Sequence, residues 1–184
     1  GVDKDAWLPE LATKKFRSGA AESPAFPVKD GAKTPGKVAI YSTCYINYNE
    51  PGIGHDLLKV LAHNEVPYVL VGKEKCCGMP KLELGDLDSV NASKEANIPV
   101  LAKYAKDGFA ILSAVPSCTL MFKQELPLMY PDDADVQAVK EAIKRFLGPD
   151  YALFARWIDI LTFAFAGHSF SDIERDIQRF RRAV

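Results

Sequence analysis

Four cysteines are the residues of this chain best suited to chemistry, and two of them adjoin in Cys76-Cys77-Gly78. The set is spaced Cys44-x31-Cys76-Cys77-Gly78-x39-Cys118. Each cysteine site lies just after, or at the end of, a short apolar run that reads as a β-strand. If those strands run parallel in one sheet, all four sulfurs arrive at one edge, where a metal or an iron–sulfur cluster would be held. Consecutive side chains normally diverge, so the adjacent pair needs a turn to face one centre. Gly78 suits that turn because glycine tolerates positive φ and lets the backbone pass close to a bound group. Two plainer readings stand beside this one. Free cysteines often simply pack in a core, and Cys76 and Cys77 could form a vicinal disulfide.

The elements that would position these sulfurs can be read from periodicity and breakers. Residues 38–45 (VAIYSTCY), 67–71 (PYVLV) and 109–115 (FAILSAV) are strand candidates. Between them, residues 54–64 read as a helix with Leu57, Leu58 and Leu61 at helical spacing. A longer helix is expected over 89–106, kinked or broken at Pro99. Pro80 is expected to stop continuation beyond the cysteine pair, and residues 120–126 read as helical. The β-α-β-α-β-α order predicts an α/β fold: a parallel sheet of three to four strands with flanking helices. Right-handed crossovers place every strand's carboxyl end on one edge, which is where sites in such sheets form.

Residues 1–36 read as an N-terminal arm. It has a short helix near 8–16 and a Gly/Pro/Ala/Lys/Ser-rich stretch from 18 to 36, with Trp7, Leu8, Phe16 and Phe26 available to pin it. Residues 37–131 form the α/β domain. Residues 132–184 read as a C-terminal helical extension with helices over 135–147, 151–166 and 171–184, the last opened by the capping box Ser171-Asp-Ile-Glu174.

The 184-residue chain carries a net charge of −1, which argues against nucleic acid as a partner. No apolar run approaches the ~18 residues of a spanning helix. No secretory leader is recognised, so a reducing, cytoplasmic setting is expected, in which cysteines serve as ligands or reactive thiols.

The cysteine pattern resembles the CCG cysteine-rich domain family, as do the surrounding segments 41–45 (YSTCY), 76–80 (CCGMP) and 115–119 (VPSCT). That family includes the B subunit of heterodisulfide reductase and the C subunit of anaerobic glycerol-3-phosphate dehydrogenase. The similarity covers about residues 37–130. It implies Cys44, Cys76, Cys77 and Cys118 as ligands of a [4Fe–4S] cluster, or alternatively of zinc, with Gly78 shaping the loop. The fullest family motif ends in CxxC; here Met121 stands in the last position, and it reads as a packing residue. The resemblance further implies electron transfer within an oxidoreductase. A flavin or iron–sulfur subunit would be the partner, with a thiol/disulfide or quinone as acceptor, in the cytoplasm or peripheral to the inner face of the membrane. The upstream ferredoxin motifs and second CCG of whole family members are absent, which suggests one domain of a larger protein. A structural zinc site and a metal-free interaction module are the alternative functions.

Other motifs carry less. Residues 31–37 (GAKTPGK) fit the letters of a phosphate loop but precede a strand instead of following one. His55 and His63 lie two turns apart, too far for one metal, although His55 could support the centre from outside. His168 reads as structural. The basic face of residues 175–182 reads as a solvated helix, and residues 166–174 are mildly similar to the helical lid of AAA ATPases.

Overall fold

The computed structural model describes residue 5 and residues 10–25 and 37–146. Trp7, Leu8, Phe26, the 31–36 segment, His168 and the helices expected beyond 150 lie outside the described residues.

Three parallel strands form the sheet: β1 (Val38–Ile40), β2 (Tyr68–Leu70) and β3 (Ala110–Leu112), in the order β2-β1-β3. Val38 is in register with Tyr68 on one side and Ala110 on the other. The central strand is wholly buried, as is β3, which accounts for their unbroken apolar runs. Val69 of β2 is exposed, as befits an edge strand.

The strands are shorter than their apolar runs. Pairing hydrogen bonds extend just beyond β1, from Tyr41 N to the Leu112 carbonyl and from Val71 N to the Ile40 carbonyl, 2.9 Å each. The chain then turns away at Thr43, whose φ of 67° and ψ of 157° lie in a region that non-glycine residues rarely adopt. Cys44 is therefore not on the strand, as the apolar run suggested, but opens a short helix, α2 (Cys44–Tyr48). The Thr43 hydroxyl caps that helix, accepting from Ile46 N at 3.2 Å.

The first crossover runs through α3 (Pro51–His63), which buries Leu58 and Leu61. The second contains α4 (Met79–Glu83) and α5 (Leu87–Lys106). Pro80 does not stop the chain; it sits in the first turn of α4, where its missing N–H has no intrahelical partner to lose. Pro99 does not break α5. It is exposed, and the Glu95 carbonyl it leaves without a helical partner is on the exposed face as well. After β3, α6 (Pro116–Leu120), a π-helical turn (Met121–Glu125) and α7 (Leu126–Met129) form one continuous helical run.

α8 (Ala134–Phe146) packs on α5, β3 and the π-helical turn, burying Val136, Val139 and Ala142. It thus belongs to the same compact unit as the sheet. Among the described residues of the arm, 10–15 are irregular where part of a helix was expected, and α1 (Phe16–Gly19) is the helical segment. Phe16 is fully buried against Gly54, where an added Cβ would meet its ring at 2.6 Å.

Candidate metal centre

All four cysteines lie past the carboxyl ends of the strands: Cys44 after β1, Cys76 and Cys77 after β2, and Cys118 in α6 after β3. The connection from β1 leads to one side of the sheet and that from β2 crosses to the other. Cys44 and Cys118 thus come from the strands that border the reversal point, where the loops part and leave a crevice.

The Cys44 and Cys76 sulfurs are 4.0 Å apart. Cys76 and Cys118 are in turn close enough to act on Cys77, which gives the row Cys44, Cys76, Cys77, Cys118. Among the described residues no three His, Cys, Asp or Glu side chains are closed round one point for a metal ion. Exposure falls along the row, with Cys44 exposed, Cys76 intermediate, and Cys77 and Cys118 buried.

The thiols are electrostatically unequal. The Cys118 thiol donates to the Cys77 sulfur, which lowers Cys77 to about 7; the amide of Met79 adds to this against the opposing effect of burial. The same shared proton, with burial behind it, pushes Cys118 up. Burial and the neighbouring Cys76 raise Cys44 to about 11. Like charges crowded in one place resist ionising together, and a bound cation would remove that resistance.

Gly78 has φ +94°, the left-handed turn its sequence position called for. A Cβ there would lie 3.2 Å from Ser93 Cβ and 3.6 Å from Met121 Cε. Met121 is fully buried, in keeping with packing. Its neighbour Phe122 meets Tyr41 edge to face at 5.0 Å. The π-helical turn carries both side chains three and four residues after Cys118, beneath the cysteine loop.

Several residues that hold the loops were not singled out from sequence. Asn97 of α5 is buried, accepts from Lys75 N at 2.8 Å and donates to the Cys76 carbonyl at 3.0 Å. The Tyr41 hydroxyl donates to the Lys75 carbonyl. Burial first, then Cys77 and Cys118, drive the Tyr41 pKa above its ordinary value and keep the phenol neutral. Glu74 accepts from Ser42 N at 2.9 Å and lies 3.4 Å from Arg17 of the arm. Burial raises the Glu74 carboxyl, and its bonds to Ser42 and Arg17 oppose that rise. The sequence signal for Asn97 is a lone amide on a helix face shared with Val90, Ile98 and Leu101. His55 packs on the ring of Phe16 at 5.2 Å and anchors the arm.

The donor set suits a soft metal centre. It offers four sulfurs, and the carboxylate two residues before Cys76, that of Glu74, is already engaged by Ser42 and Arg17.

Residues 38–123 match the family model described as CCG, cysteine-rich domain. The chain is 31% identical over 131 residues to the C subunit of anaerobic glycerol-3-phosphate dehydrogenase from Escherichia coli (strain K12), covering 68% of this chain and 31% of that protein. It is 26% identical over 126 residues to the B subunit of fumarate reductase (CoM/CoB) from Methanothermobacter marburgensis, covering 68% and 25%. An uncharacterized iron–sulfur protein of Methanocaldococcus jannaschii is 27% identical over 84 residues, covering 46% and 17%. The chain thus spans less than a third of the length of these relatives. No solved structure matches at a significant level.

Proposed function

The chain carries a CCG cysteine-rich domain over residues 38–123, and from that premise we propose that it is an iron–sulfur electron-transfer domain of a multi-subunit oxidoreductase. Cys44, Cys76, Cys77 and Cys118 would hold a [4Fe–4S] cluster. The observation that carries this reading is the convergence of four sulfurs from three separate loops on one edge of the sheet. The names of the relatives point the same way: subunits of a dehydrogenase and a reductase, and an iron–sulfur protein.

A bound cluster would supply a reversible one-electron step. The protein's part is to place and tune it. The Met79 amide lies where it lowers the Cys77 thiol; donation to that sulfur would spread negative charge and favour the reduced form. Tyr41 and Phe122 seal the inner side against water, while the exposed Cys44 marks the side from which a partner can approach. The partner would be a flavin or iron–sulfur subunit, and the final acceptor a thiol/disulfide or a quinone. Among the described residues no helix is long and apolar enough to cross a membrane; the proposed setting is the cytoplasm or the inner membrane surface.

The 4.0 Å separation of Cys44 and Cys76 favours one second reading, structural zinc. Thiolates bonded to zinc at about 2.3 Å stand about 3.8 Å apart in a tetrahedron. Anaerobic purification followed by iron, acid-labile sulfide and zinc analysis separates the two. Equal iron and sulfide support the cluster, and one zinc per chain without sulfide rejects it.

A further inference from the structure

The N-terminal arm reaches into the framework of the cysteine loops. Its Arg17 guanidinium donates to Ser42 Oγ at 2.9 Å and lies 3.4 Å from the Glu74 carboxylate. Ser42 stands two residues before Cys44, and Glu74 two residues before Cys76. Glu74 in turn accepts from the Ser42 amide at 2.9 Å. Arg17, Ser42 and Glu74 thus form a triangle that ties the loop after β1 to the loop after β2, directly behind the two sulfurs that are 4.0 Å apart.

The arm is held independently of that triangle. Phe16 is fully buried against Gly54 and Ile46. The Arg17 amide donates to Asn47 Oδ1 at 3.1 Å, Ala12 N to the Tyr48 carbonyl at 2.7 Å, and Tyr68 N to Ser23 Oγ at 3.1 Å. The arm therefore runs from the Cys44 helix to strand β2 with Arg17 between. The Glu74 side chain is only 9% exposed, so its charge needs the two partners it has.

We infer that Arg17 is a positioning residue of the centre: it clasps the Cys44 and Cys76 loops together and sets the spacing of that half of the sulfur set. What the spaced sulfurs serve rests on the iron–sulfur reading above; the clasp itself rests on the loops alone. The Cys77–Cys118 half is held elsewhere, by the Gly78 turn and by the buried run after Cys118, and does not depend on Arg17.

The test uses the full chain, metal-free, in a glutathione redox buffer. Each protein disulfide forms as two thiols give two electrons and two protons to one glutathione disulfide, which leaves as two glutathione thiols. Peptide mapping gives the effective concentration of the Cys44–Cys76 pair and, as an internal reference, of the Cys77–Cys118 pair. Arg17→Met is expected to lower the first about tenfold and leave the second within about twofold; Arg17→Lys should recover much of the loss. Equal loss in both pairs, or no loss in either, overturns the clasp. Should Arg17→Met fold poorly, the double variant Arg17→Met/Glu74→Gln removes the unpaired buried charge and must show the same selective loss. Metal analysis of the same proteins separates the two claims. A selective loss in a chain that takes up no iron keeps the clasp and rejects the cluster. Iron uptake with no selective loss does the reverse.

Discussion

The side-chain amide of Asn97 straddles the backbone at Cys76, accepting from Lys75 N at 2.8 Å and donating to the Cys76 carbonyl at 3.0 Å. One buried helix residue thereby fixes the peptide that leads into the cysteine pair. Asn97→Leu leaves both backbone groups without this partner, and each buried unsatisfied group costs about 1–3 kcal/mol. Thermal unfolding should show a loss of about 2–6 kcal/mol, with weaker iron retention after reconstitution. Asn97→Asp should retain the bond from Lys75 N and lose the one to Cys76, giving an intermediate result.

Gly78 couples turn and packing. Gly78→Ala should destabilise by about 1–2 kcal/mol from the left-handed backbone alone, and more from the 3.2 Å approach to Ser93. In denaturant titrations, Gly78→Ala made in a Ser93→Gly background should cost the backbone part alone, measured against Ser93→Gly by itself because a glycine inside α5 carries its own cost.

Gly54 is the seat of Phe16. Gly54→Ala places a methyl 2.6 Å from the Phe16 ring and 2.8 Å from Ile46. Overpacking of this kind costs about 1–3 kcal/mol, and here it should lift the arm. Limited proteolysis should then cut within residues 10–25 faster than in the unmodified protein, while cleavage within the sheet is unchanged.

Asp133 links α8 to α5. It accepts from Asp135 N and Val136 N as a helix cap and lies 2.8 Å from Lys94. The Lys94 hydrogen bond holds its carboxyl below the usual range. A group that binds its proton less readily when folded stabilises fully above the unfolded carboxylate pKa of about 4, and that contribution is lost as pH falls through the lower folded value. Asp133→Asn keeps the cap and removes the charge. The stability difference between the two proteins should therefore be constant near neutrality and shrink below about pH 4; a difference that persists in strong acid would contradict the ion pair.

Much of this was legible in the sequence because it depends on local pattern. The three apolar runs, the intervening helices and the Gly78 turn all follow from periodicity and from one residue's backbone freedom. The strand ends were not legible. Ser42 and Thr43 interrupt the apolar residues of the 38–45 run, but no glycine or proline ends it, and only tertiary context holds Thr43 at its unusual φ and moves Cys44 into a helix. The supporting residues were hidden for a related reason. Asn97 meets Cys76 across 21 positions and Arg17 meets Ser42 across 25, so nothing near either residue announces its partner. Phe16 could be named as an anchor, but not Gly54 as its seat.

X-ray absorption on the full chain, purified without air, probes the four-sulfur centre most directly. An iron cluster held by these cysteines gives an iron edge with a sulfur shell and iron neighbours at short range, weakened by serine at Cys44, Cys76, Cys77 or Cys118. A lone zinc surrounded by sulfur, or no bound metal at all, would contradict it.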